Sequence, residues 1–474
     1  MTGSAYWYSR FVFERGLALL YLVAFIAAAN QFVPLLGERG LLPVVRFTQY
    51  VPFRASPSLF FLWQSDAAFR IAAWVGVGLA CLVLLDLPQR QGAIAAAGVW
   101  AVLWVLYLSF VNVGQTFYGF GWESLLLEAG FFAIFLGART ATPSLWLGWI
   151  WAWLLFRIMF GAGMIKLRGD PCWRDLTCLD YYFETQPMPN ALSWTFHWMP
   201  AAVHRGGVAF NHFVELVVPF FYFTPAPLSS VAAILTIVFQ LVLIVSGNLS
   251  WLNWLTVVLC LPLIDDRFWS WLPVTQPPLD PPSSVYRTVV YGLVGVVAAL
   301  SIRPARNMLS PSQMMNYSFN PIHIVNTYGA FGSITRTRYE IVFEGTDDAA
   351  VTPETRWREY EFKGKPGDPT RRPPQVAPYH LRLDWLMWFA AMSPAPRDQW
   401  LLTLVTRLLE GDREVASLLR TTPFPDRPPR FLRARYYRYR FTTPEERSGS
   451  GAWWKRDLAG EFLPPVSLEM LRVR

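Results

Sequence analysis

From about Gly16 to Leu300 the chain is a succession of long apolar runs, and no other feature narrows its possible folds as much. A run of about 20 mostly apolar residues is long enough to cross a bilayer as a helix. In hydrocarbon every backbone N–H and C=O must be paired within the segment, which excludes open strands. Such runs fall at 16–36, 67–87, 92–112, 121–138, 145–165, 208–224, 228–246, 249–264 and 285–302. The sequence therefore predicts a polytopic α-helical membrane domain of about nine spans, give or take about two. The fourth and eighth runs are short for a straight crossing, and the two around Ser246-Gly247-Asn248 also read as one re-entrant unit. The first run ends in Ala27-Ala28-Ala29, a small-residue pattern like a signal-peptidase site, but apolar sequence resumes at Phe32. An uncleaved first span is the reading that follows.

Composition changes abruptly at Ile302. Only 16% of the chain is charged, against about 25% in a soluble protein, and the charge is concentrated at the C-terminus. After Ile302 lie 26 of the 41 Lys and Arg and 19 of the 33 Asp and Glu, so seven of the eight net positive charges sit in the tail. Two domains follow: a membrane domain over 1–302, with a long polar loop at 166–206, and a soluble basic domain over 303–474. Residues 334–345, 357–364 and 429–443 alternate and are rich in β-branched and aromatic residues, as strands are. Residues 380–392 and 397–419 have helical periodicity. The tail is thus a mixed α/β module with antiparallel strands. Its basic residues are interleaved with acids and aromatics and match no nucleic-acid-binding motif, so nucleic acid is not among the expected partners. They read as a solvated face near a lipid surface.

With nine spans, the 166–206 loop and the tail emerge on the same side. Cys172 and Cys178 share that loop, in CWRDLTC, and can form a disulfide if it faces an oxidising compartment. The short loops are too poor in charge to fix the orientation by their Lys and Arg.

Ionisable groups within spans cost at least ~2.5 kcal/mol near the bilayer centre and mark functional candidates. Glu123 and Glu128, in GWESLLLEAG, are five residues apart and do not share a helix face. Arg157 is a counter-ion for one of them, which reads either as a structural pair or as part of a site. Lys166 follows Gly161-Ala162-Gly163, where small residues let another helix approach. A lysine at a span end either snorkels to the interface or, if desolvated, is a base with a lowered pKa. His212 and Glu215 share a face, but HxxE is not a zinc-protease motif and no metal is expected. The polar loop adds Asp170, Trp173, Asp180 and Tyr182 as binding candidates, because long loops often bind. In the tail, His380 and Asp384 lie four apart on an expected helix. No Gly-x-Ser-x-Gly elbow, P-loop or dinucleotide fingerprint is present, and no cofactor is expected. Asn326-Thr327-Tyr328-Gly329 reads as a turn leading into a strand.

Three long segments resemble lipase maturation factors: FVFERGLALLYLVAFIAAANQFVPLLGERGLLP, FRIMFGAGMIKLRGDPCWRDLTCLDYYFETQPMPN, and the tail from NTYGAFGSITRTRYEIVFEG to HLRLDWLMWFAAM. The resemblance implies a multi-pass membrane protein that assists the folding and assembly of secreted lipases. In animal members the large conserved segments face the endoplasmic-reticulum lumen. The high Ala, Arg, Pro and Trp usage looks bacterial, which transposes that topology to a plasma membrane with a periplasmic tail. The implied partners are the bilayer and an exported client such as a lipase, with no catalytic role. A shorter stretch, AGMIKL, resembles the vitamin K-dependent gamma-carboxylase and its bacterial relatives, in which the lysine at the position of Lys166 acts as a base. That likeness implies an intramembrane enzyme acting on a lipid-soluble substrate, with Lys166 as base and Arg157, Glu123 and Glu128 around it. A transporter is disfavoured by the absence of an inverted repeat.

Overall fold

The computed structural model describes residues 6–472. Among the described residues seven helices are long and apolar enough to cross a membrane, one of them, Ala201–Phe223, ending in a 3-10 turn. We label the bundle helices α1 (Trp7–Leu36), α2 (Asp66–Leu84), α3 (Ala93–Val113), α4 (Gly121–Ala133), α5 (Leu145–Arg168), α6 (Ala201–Leu216), α7 (Leu228–Ser246), α8 (Leu252–Cys260) and α9 (Ser284–Leu309). The two that fall short, α4 and α8, are the two runs whose sequence is also short. Both are packed inside the bundle: Leu125, Leu126, Leu127, Leu255 and Leu259 are inaccessible to solvent. A segment wrapped by protein on all sides has no hydrocarbon thickness to match, so it does not need full span length.

Helix α1 is the axis of the bundle. It runs unbroken past Ala27-Ala28-Ala29 and buries residues on nearly every face, from Trp7 to Leu36. Gly130 of α4 meets it so closely that a β-carbon there would overlap the Tyr21 hydroxyl. Aromatic edge-to-face contacts fill the space between α1 and α3, with Phe25 against Tyr107 and Phe32 against Phe110. Conversely, Val238, Leu241, Val242 and Val245 leave an exposed apolar stripe along α7, as a lipid-facing surface requires. Trp251, just ahead of α8, is fully buried and donates its indole N–H to the Trp122 carbonyl.

Helix α9 continues through Pro304 to Leu309, so the compositional step at Ile302 falls inside a helix. The tail then builds a four-stranded antiparallel sheet in the order β2-β1-β5-β6, from β1 (Arg338–Thr346), β2 (Arg358–Glu359), β5 (Phe431–Phe441) and β6 (Trp454–Val466). A second, two-stranded sheet pairs β3 (Glu361–Phe362) with β4 (Leu419–Thr421). The central pair is in register from Arg338↔Tyr439 to Thr346↔Phe431. Strand β6 escapes a sequence reading because Gly460 and Pro464-Pro465 are turn signals. It tolerates them as an edge strand with register shifts against β5. Helices α10 (Arg382–Ala390) and α11 (Gln399–Leu409) complete the module, and a short turn of helix at Arg413–Ala416 follows.

The tail is docked into the bundle rather than tethered above it. The 166–206 loop lies on the same side as the tail and packs against it: Trp194 and Trp198 both donate to the Thr442 carbonyl, and Trp388 donates to the Thr185 carbonyl.

Candidate functional site

Three buried polar clusters lie within the bundle or where the tail meets it, and they gather Glu123, Glu128, Arg157, Lys166, Glu215 and His380 of the residues that sequence reasoning singles out. The first is built on Glu128. Its carboxylate takes both Arg157 guanidinium nitrogens, the Asn326 backbone N–H (3.0 Å) and side chain (2.9 Å), and the Tyr328 hydroxyl (2.7 Å). Arg157 also donates to the Asn326 carbonyl at 2.7 Å. Glu128 and Arg157 are buried, so the carboxylate is satisfied entirely by protein groups. Asn326 and Tyr328 come from the segment that reads as a turn. In the structure they are the tail's contact with α4 and α5, and Gly161 lets the Tyr328 carbonyl come close.

The second cluster is built on Glu123, whose partner is not Arg157 but Arg382 of the tail, 2.6 Å away. Tyr107 donates to the other oxygen. Arg382 stacks on Tyr118 at 3.4 Å and donates to the Phe117 carbonyl. Gln31 of α1 spans the same junction, donating to the His380 carbonyl (2.7 Å) and accepting from the Arg382 N–H (3.0 Å). Arg382 is the residue missed on sequence. It reads as one more cation on a solvated face, and its burial becomes visible only when the tail is docked.

His380 and Asp384 do not share a helix, because α10 begins at Arg382. His380 sits in a box of Phe120, Trp122, Trp251 and Trp385, with its ring 3.8 Å from Glu123. Burial lowers its pKa to about 4, which keeps it neutral. Asp384 instead accepts the backbone N–H groups of Gly364 and Lys365, at 2.6 and 3.1 Å, which closes a loop of the tail.

The third cluster holds Lys166. Its ammonium donates to Glu215 (2.5 Å) and Asn211 (2.8 Å), and Asn211 in turn donates to the other Glu215 oxygen (2.9 Å). Lys166 does not snorkel to the interface. It is 5% exposed, and its nitrogen lies 4.9 Å from the centre of the Trp173 ring. Gly163 admits α6 at Glu215 and Leu216. His212 does not pair with Glu215, because its ring bonds to the Trp173 carbonyl at 2.9 Å.

Lys166, Asn211 and Glu215 line a cavity of about 870 Å³ between α5, α6, α7 and the tail. Trp173 and Tyr182 of the polar loop form part of its wall, as do Trp385, Trp388 and Phe389 of the tail. Most of the lining is apolar, with a carboxamide pair, Gln240 and Asn253, linked at 2.6 Å. Glu123, Glu128, Arg157 and Arg382 are packed into protein and are not part of this lining, although Tyr328 of the Glu128 cluster reaches it.

The other loop candidates are pinned elsewhere. Asp170 pairs bidentately with Arg336, at 2.7 and 2.9 Å, and caps the Cys172 N–H. The Arg336 hydrogen bonds hold its carboxyl down at about 2. Asp180 bonds His204 at 2.8 Å. Cys172 and Cys178 face each other with α-carbons 4.8 Å apart and sulfurs in contact. Among the described residues no group of three or more His, Cys, Asp and Glu side chains is arranged to hold a metal ion.

A multi-pass helical membrane domain, carrying a C-terminal α/β domain with antiparallel sheets locked to one face by a buried ion pair and buried hydrogen bonds, is the class of protein that this fold and site define. The chain belongs to the lipase maturation factor family. The family's transmembrane-domain model matches residues 8–271 and its C-terminal-domain model matches residues 324–464. Lipase maturation factor 1 from Bos taurus is 44% identical, with 100% of this chain and 91% of the relative covered. The Homo sapiens protein of that name is also 44% identical, over 98% of this chain and 89% of its own length. Lipase maturation factor 2 from Rattus norvegicus is 28% identical, over 96% of this chain and 83% of its own length. No solved structure matches the chain.

Proposed function

We propose that this protein assists the maturation of an exported client of the lipase type, with residues 1–302 as membrane anchor and 303–474 as the client-facing module. The observation that carries this reading is the alignment of the whole chain with proteins named for lipase maturation. The shared position of the 166–206 loop and the tail supports it, because a client would meet both at once. That side is the exported one, where Cys172 and Cys178 are oxidised to a disulfide. The residue usage favours a bacterial plasma membrane with a periplasmic tail. Deleting the gene and assaying every secreted lipase is the test: a fall in specific activity at unchanged antigen level is expected, and unchanged activity of all of them overturns the reading. A membrane-impermeant maleimide applied to Ala349→Cys in intact cells reports the side: labelling is expected, and protection until the membrane is opened refutes the exported orientation.

A second reading is chemistry on a lipid-soluble compound, with Lys166 as base. The cavity that Lys166 lines favours it. For the amine to act, its proton must first pass to Glu215, the nearest acceptor. Loss of a lipid-derived product in Lys166→Met, with the tail still docked, is the expected result. Identical lipid profiles with and without the gene overturn this reading.

A further inference from the structure

The large cavity has a composition that selects a ligand. At about 870 Å³ it lies in the upper part of the ~300–1,000 Å³ range typical of small-molecule sites. Its wall reaches the surface at Val242 and Phe389, both about half exposed. Val242 belongs to the exposed apolar stripe of α7, so the cavity has an opening onto the lipid-facing side of the bundle. A second opening, at Thr116, Gly119 and Asp398, lies on the tail side.

The buried charges of the wall balance, the remaining one, Asp398, being exposed at the tail-side opening. Lys166 is matched by Glu215, and both Glu215 oxygens are already hydrogen-bonded. A ligand carboxylate or phosphate there would lie against Glu215, and a ligand cation would have to displace Lys166. Either leaves a buried charge poorly compensated. Apart from Asp398 at the exposed tail-side opening, the remaining polar groups at the wall are neutral, among them the Gln240–Asn253 carboxamides and Thr256. These can donate to or accept from hydroxyl and carbonyl oxygens. The rest of the volume, from Met159 and Phe239 to Trp385 and Phe389, is apolar and suits a hydrocarbon chain.

We infer that the cavity binds an uncharged amphiphile with one long apolar chain, admitted sideways from the bilayer between α7 and α10, with its oxygen-bearing end near Lys166, Gln240 and Asn253. The inference rests on the cavity of the second reading above but needs no bond-making there. The test uses the full chain in lipid nanodiscs and a monoacylglycerol carrying a diazirine in its chain. A fatty acid of the same length and label is the charged control.

Saturable labelling at the cavity wall by the neutral probe is expected, with the fatty acid about tenfold weaker, roughly 1.4 kcal/mol. Ala162, on the wall and partly accessible, provides a filling variant. Ala162→Trp should abolish labelling while the protein elutes as the wild type does. Glu215→Gln leaves Lys166 uncompensated and should turn the preference toward the fatty acid. Labelling spread over the lipid-facing stripe, equal labelling by both probes, or labelling unmoved by Ala162→Trp overturns the inference. Recovered probe is also analysed for conversion: occupancy without conversion refutes the enzymatic reading and leaves this one intact.

Discussion

Two buried ion pairs, Glu128–Arg157 and Lys166–Glu215, join spans of the same bundle, yet they stand in different surroundings. Around Glu128 both carboxylate oxygens are bonded by protein, one by Arg157 and the other by Arg157, Asn326 and Tyr328. Around Lys166 the helices and the tail leave a cavity. The first pair is a fastening, and the tail completes it. The second is self-sufficient and still accessible. The difference teaches that an ionisable residue in a span is a weak sign of chemistry by itself, and that the space beside it decides. Glu123, which pairs with the tail's Arg382, belongs with Glu128 in this respect.

The contrast can be broken by substitution. Glu128→Ala leaves Arg157 buried without a counter-charge, and a loss of about 3–5 kcal/mol is expected. It should appear as a lower unfolding temperature in detergent and rapid proteolysis at 310–337. Lys166→Met removes one partner beside a cavity and leaves Glu215 the Asn211 hydrogen bond, so a loss of about 1–3 kcal/mol is expected. Equal losses in the two variants would abolish the distinction. His380 sharpens the comparison from the tail side. Burial holds its pKa at about 4 in the folded state, below the ~6.5 of the unfolded chain. The unfolded state therefore binds the extra proton as pH falls from about 6.5 to about 4, and stability is lost through that window. Between pH 7.5 and 5.5 the loss is about 1 kcal/mol, and His380→Phe should flatten that part of the pH profile. The smallest effect is expected for Arg336→Gln. Its partner Asp170 is well hydrogen-bonded, but Arg336 is 42% exposed, and such pairs contribute less than about 1 kcal/mol. A larger shift in unfolding temperature would mean that the loop and tail depend on this contact more than its exposure suggests.

Much of this was legible in the sequence, for stated physical reasons. Apolar run length marks the spans, and it also marks α4 and α8 as the irregular ones. Alternation marks β1 and β5. What the sequence hides is docking. Arg338 and Arg382 look like two members of a basic, solvated tail, yet both are buried. Arg338 pairs with Glu340 and donates to the carbonyls of Glu184 and Pro187 in the loop. The partners of Arg382 lie 259 to 351 residues away along the chain, and no local pattern encodes a contact of that separation. Lys166 and Glu215 were each visible as candidates. Their meeting depends on α5 and α6 crossing at Gly163, and the cavity beside them depends on where the tail stops.

The separation of 259 residues between Glu123 and Arg382 also matters during synthesis. At about 5–20 residues per second, the ribosome needs roughly 10–50 s to deliver the arginine after the glutamate has been made. Throughout that interval α4 holds a carboxylate whose counter-charge does not yet exist. The nascent bundle therefore cannot finish its assembly until about four-fifths of the polypeptide has been translated and the segment around Arg382 has folded back onto it. A truncation before Arg382 would thus be read by the cell as an unfinished membrane domain, even with every span in place.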